Sequence, residues 1–160
     1  MKNLFGKLFI VAMTVGFLCF LASESLAKNP VRPFQLRGAG TDIAAAPECD
    51  GGDLIEETGN ATHLGLYHAV ACVFVIRAQS PTVLVIAGNG VTTAANGDEV
   101  NFSFIGTTDV GGAVWLSDVT LTFAGGTGRF ANASGQARYM ASRAAFATDY
   151  TASATGTIAY

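Results

Sequence analysis

The side chains in this sequence that could move a proton or hold an ion are few and scattered. His63 and His68 are the only two histidines. They stand five residues apart, so on a regular strand they point to opposite faces and cannot easily share a metal unless a bulge intervenes. His63 reads either as a structural hydrogen bond near the start of a strand or as a general acid or base. Glu99 and Arg138 complete a weak set of catalytic candidates. Against a catalytic role, Asp98 and Glu99 follow an Asn-Gly turn and read as solvated hairpin charges. Glu56 and Glu57 read as loop charges. Arg138 and Arg143 are odd-spaced on one strand, so they face opposite sides, and one of them can turn inward as an anion contact. Trp115 and Tyr139 read as lining a pocket or as core. No CxxC, Cys/His cluster or HExxH occurs, so no metal site and no cofactor is expected.

The stretch Leu121–Gly135, LTFAGGTGRFANASG, raises phosphate binding as a further chemistry. A phosphate-cradling loop needs GxxxxGK followed by Ser or Thr, yet no lysine occurs after Lys28. A dinucleotide fingerprint needs a third glycine that Arg129-Phe130-Ala131 does not supply. Gly125, Gly126 and Gly128 therefore read as a structural turn. Arg129 is then free to pair with an acidic neighbour, and Phe130 to seal the end of a fold.

The elements that must position these residues begin after a leader. Lys2 and Lys7 precede an apolar run, Leu8–Ala22, and Ser25-Leu26-Ala27 is a small-x-small cleavage site. Residues 1–27 read as a signal peptide, which makes the protein exported, periplasmic or extracellular. The apolar run is short for a bilayer span, so no stable membrane span is expected after cleavage. Residues 28–160 are long enough for one domain with a sizeable core. Net charge is −3, and no basic face with interleaved aromatics appears, which argues against nucleic acid. Cys49 and Cys72 can close one disulfide in an oxidising compartment; alternatively Cys72 is a buried strand residue and Cys49 a free thiol.

Within that domain the hydrophobic period is nearer two than 3.6. Val119–Phe123 and Val100–Phe104 alternate apolar and hydroxyl or amide residues. Asn96-Gly97-Asp98 is a tight-hairpin signal. Gly88-Asn89-Gly90 suggests a bulge or bend. The expected strands are Phe34–Ile43, Thr62–Arg77, Thr82–Ala94, Glu99–Thr108, Ala113–Ala124, Gly135–Ala144 and Thr148–Ala159, with 44–60 a loop. An eighth would come from division of Thr62–Arg77 or Thr82–Ala94. The pattern predicts an all-β protein, a closed antiparallel β-barrel of about eight strands, with a β-sandwich as the alternative.

GGTGRFANASG, preceded by TAANGDEV and accompanied by ATHLG at Ala61–Gly65 and GTIAY at Gly156–Tyr160, resembles the allene oxide cyclase/dirigent-like barrel superfamily, and small exported bacterial members in particular. The resemblance runs from Pro33 to Tyr160. It implies an eight-stranded antiparallel barrel behind a signal peptide. It implies no established activity for the bacterial members; plant relatives include a cofactor-free cyclase and proteins that steer radical coupling. No catalytic residue carries over, because the shared stretches are turns and strands. Two functions follow as expectations. One is a non-enzymatic module that binds a small apolar ligand or a protein partner. The other is a cofactor-free isomerase or cyclase acting on a lipid-like or phenolic substrate.

Overall fold

The computed structural model describes residues 29–160, so the expected signal peptide lies outside the described residues. Eight strands follow one another: β1 (Val31–Ile43), β2 (Asp53–Ala61), β3 (Gly65–Ala78), β4 (Val83–Ala94), β5 (Glu99–Asp109), β6 (Val114–Gly126), β7 (Ser134–Ala144) and β8 (Asp149–Ala159). Each pairs antiparallel with the next, and β1 also pairs with β8 from Val31↔Ala159 to Thr41↔Asp149, which closes the barrel. The sandwich alternative is thereby excluded. Closure leaves no free sheet edge, which long exposed strands otherwise present to other chains. No helix among the described residues is long and apolar enough to cross a membrane.

The eighth strand is not where the sequence suggested. Neither Thr62–Arg77 nor Thr82–Ala94 divides. Instead β2 occupies the second half of the expected 44–60 loop. Its charges hid it: Glu56 and Glu57 interrupt the apolar pattern, yet they sit on opposite faces of one strand, Glu56 exposed and Glu57 buried. Gly88-Asn89-Gly90 pairs in regular register on both sides. The register shifts fall instead at Val75/Arg77 and Val100/Phe102.

The two ends of the barrel differ. At one end the core is tight. The Phe34 and Phe123 rings meet edge to face at 5.0 Å, and Phe130, fully buried, meets Tyr160 at 4.8 Å. Phe130 belongs to the glycine loop, in the short helical turn Gly128–Phe130. Arg129 beside it ties three turns together. Its side chain lies 3.7 Å from the Asp98 carboxylate of the Asn-Gly turn and donates to the backbone oxygen of His63 at 2.6 Å. The opposite end is ringed by the β1–β2, β3–β4, β5–β6 and β7–β8 connections. There a Cys49–Cys72 disulfide pins the short turn Pro47–Cys49 to β3. Closing a loop of 23 residues stabilises by roughly 3 kcal/mol in the chain-entropy account.

Gly128 has a φ of +53°, and a Cβ there would overlap the Asp98 carboxylate. Gly125, at φ +75°, opens the same turn, and Gly126 ends β6 hard against the carbonyl of Glu99. Gly128→Val should therefore lower stability by roughly 2–3 kcal/mol, through backbone strain and loss of the Arg129 tie. Thermal unfolding followed by circular dichroism checks this. A melting temperature equal to that of the native chain would refute the turn assignment.

Candidate functional site

Alternation along eight strands sends every second side chain inward, and above the plugged end these side chains leave a cavity of about 360 Å³. Its wall is divided. Strands β3 to β6 contribute an apolar half that includes Val73, Ile86, Phe102, Phe104, Val119 and Leu121. Strands β7, β8, β1 and β2 contribute Tyr139, Arg143, Tyr150, Asp42, Asp53 and Glu57. The second group comes from four consecutive neighbours around the barrel, so the charged groups and phenols share one side of the cavity, while the other half adds only the hydroxyls of Thr92, Thr108 and Ser117.

Glu57 is the centre of that side. It is 5% exposed, so its carboxylate must find partners inside the protein. The Tyr67 hydroxyl donates to Oε1, and the Tyr139 hydroxyl donates to Oε2 at 2.5 Å. Room for this cluster comes from β1. A Cβ on Gly38 would strike the Tyr67 hydroxyl and the Glu57 carboxylate, and one on Gly40 would strike the Tyr150 ring. Three phenols surround the carboxylate. Burial, then the charge of Glu57, pushes Tyr67, Tyr139 and Tyr150 above the ordinary phenol range, so all three remain protonated donors at neutral pH. The Tyr150 hydroxyl is buried and makes no hydrogen bond, although it lies close enough to Glu57 and Tyr139 for both to affect its acidity.

Nearer the mouth, Arg143 donates to Oδ2 of Asp42, and Asp42 Oδ1 is buried without a partner. The Arg143 guanidinium also lies 4.8 Å over the Trp115 ring, and Phe146 meets that ring at 5.2 Å. Burial pushes the Asp42 carboxyl above its ordinary range, and Arg143 draws it only partly back. Asp53 accepts a hydrogen bond from the backbone N–H of Ala45 at 3.0 Å.

Of the residues singled out in the sequence, Trp115 and Tyr139 line the cavity and Cys49 is bonded to Cys72. His63, Glu99 and Arg138 do not line it. His63 stands in the β2–β3 turn with a φ of +69°, its ring nitrogen 2.9 Å from the Pro33 carbonyl oxygen. Glu99 is held at the closed end, its backbone N–H donating to Thr127. Arg138 forms a two-pronged pair with Asp118 on the outer surface. His68 is exposed on β3. Between the two odd-spaced arginines, Arg143 is the one that turns inward. Glu57, Tyr67, Tyr150 and Asp42 were missed. The signal for Glu57 was the run Asp53, Ile55, Glu57, Gly59, Ala61 on one face of a strand, obscured by the charges between them.

No protein-family model, curated protein or solved structure matches the chain.

Arg143→Met tests the inner ion pair. Without the cation, the folded-state pKa of Asp42 rises further above its unfolded value. The resulting penalty is complete above the raised folded value and vanishes below the unfolded one. The variant should lose about 1–3 kcal/mol at pH 8, less than for a fully buried pair because both groups are partly exposed. The deficit should shrink toward pH 4. Urea denaturation at the two pH values measures it, and an equal loss at both would refute the coupling.

Proposed function

We propose that this protein is an exported binding module that takes a small, largely apolar ligand into its barrel, and that it belongs with the allene oxide cyclase/dirigent-like barrels it resembles. The observation that carries the binding reading is the cavity of about 360 Å³, plugged at one end and lined for half its circumference by aliphatic and phenyl side chains. Such a site gains affinity from burying apolar surface, while a few polar groups fix orientation. The disulfide and the leader-like N-terminal sequence are compatible with export.

The apolar fluorescent probe N-phenyl-1-naphthylamine should bind with a blue-shifted, enhanced emission and a Kd of about micromolar order. Ala71 lines the cavity, and Ala71→Phe should weaken the probe at least tenfold by occupying the space. A folded Ala71→Phe variant that binds the probe as the native chain does would refute the internal site.

A second reading, cofactor-free isomerisation, is favoured by one feature: a buried carboxylate beside an open apolar cavity. Glu57 there could take a proton from a carbon next to a carbonyl and return it elsewhere. Mass-spectrometric deuterium uptake by 2-tetralone in D2O should exceed the protein-free rate and fall to that rate in Glu57→Gln. No acceleration by the native chain refutes this reading.

A further inference from the structure

The charges inside the cavity do not balance. Three carboxylates line it, Asp42, Asp53 and Glu57, against one cation, Arg143. That cation is already committed to Asp42 and stacked on Trp115. The other ion pairs among the described residues, Arg129–Asp98 and Arg138–Asp118, lie away from the cavity. Asp53 and Glu57 thus face an apolar space with no countercharge. Glu57 receives phenol hydrogen bonds, which solvate its charge but do not neutralise it. Two further polar atoms on the same side, Asp42 Oδ1 and the Tyr150 hydroxyl, are buried without partners. The apolar half holds phenyl rings, and aromatic faces attract cations as well as apolar groups.

Resting on the binding reading above, we propose that the ligand is an amphiphilic cation: an apolar chain or ring system bearing a protonated amine or quaternary ammonium. The body lies against Phe102, Phe104 and the aliphatic residues of β4 to β6. The positive head turns to the acidic side and offsets the charge of Asp53 and Glu57. A carboxylate ligand of the same shape meets uncompensated negative charge in a poorly screened space, where like charges repel most. Its one cationic partner, Arg143, would have to leave Asp42 and strand that carboxylate, and a hydrogen bond from the neutral Tyr150 hydroxyl would not supply the missing countercharge.

The test uses three competitors of equal chain length, decyltrimethylammonium, decanol and decanoate, each displacing N-phenyl-1-naphthylamine from the full barrel below its micelle concentration. The ammonium should displace the probe at a concentration at least tenfold lower than decanoate, with decanol between them. Asp53→Asn keeps an oxygen for the Ala45 N–H and removes the charge, so it should narrow the ammonium–carboxylate gap at least threefold. Added salt should narrow it far less than for an exposed site. Equal displacement by all three, or preference for decanoate, overturns the cationic assignment while leaving the cavity reading intact. Failure of all three against a bound probe also overturns it. If the probe itself does not bind, the cavity reading falls and this proposal with it.

Discussion

A single carboxylate held away from water sets the terms for the rest of this barrel. Burying an ionised group without compensation costs several kcal/mol or more. Glu57 is 5% exposed and is not paired with a cation. Its compensation is dipolar, from two phenol hydroxyls. Those phenols must arrive from β3, which adjoins the strand of Glu57, and from β7, which lies beyond β1 and β8 on the other side, and they are bulky. The barrel wall therefore gives way at β1, where Gly38 and Gly40 present hydrogen instead of side chain. The small residues Ala152 and Ala154 on β8 face the same interior. A strand run such as RGAGT looks weak by strand propensity, yet its glycines leave the volume into which the tyrosines reach.

The two ends of the barrel divide the remaining labour. The plugged end holds the tightest packing, with Phe34, Val100, Phe130 and Ile158 almost wholly inaccessible. It also holds the Arg129 tie between turns. Stability concentrated there lets the other end stay hollow. At the hollow end the chain is held by covalent and ionic means: the Cys49–Cys72 bond and the Asp42–Arg143 pair. A barrel that filled its upper half with large apolar residues would be more stable by the same packing logic. The vacancy is thus a departure from what stability alone would select.

Much of this architecture was legible in the sequence, and the limits of legibility have a physical cause. Strand periodicity located seven strands because one face of each is predominantly apolar or small. The Asn-Gly and Gly-Gly turns located the connections because their conformations exclude most side chains. The glycine loop, GGTGRF, gave both the Arg129 pairing with an acidic residue and the burial of Phe130. β2 is hidden in the sequence because a charged side chain ordinarily marks solvent. Its inward face reads Asp53, Ile55, Glu57, Gly59, Ala61, and only the partners across the barrel reveal that Glu57 is solvated by phenols. Those partners lie 10 and 82 residues away in sequence. A local window cannot contain them. The same blindness promoted His63, Glu99 and Arg138, whose residue types suggest chemistry but whose positions in turns and on the outer face remove them from the cavity.

What failed to be legible is also what most deserves a functional explanation. Natural sequences usually keep local pattern, burial and polar satisfaction in agreement, and their violations gather where something other than stability was selected. Glu57 violates the burial pattern, the Tyr150 hydroxyl and Asp42 Oδ1 violate polar satisfaction, and the hollow violates packing. These departures are not dispersed over the molecule. All border the same cavity, and the polar ones face it from adjacent strands. A barrel whose only task was to fold would exchange Glu57 and the phenols that donate to it, together, for apolar residues of similar volume, a change that is often neutral or stabilising. A charged and incompletely bonded wall beside an apolar one is the pattern that the proposed ligand would complete, and the packing of the plugged end makes no use of it.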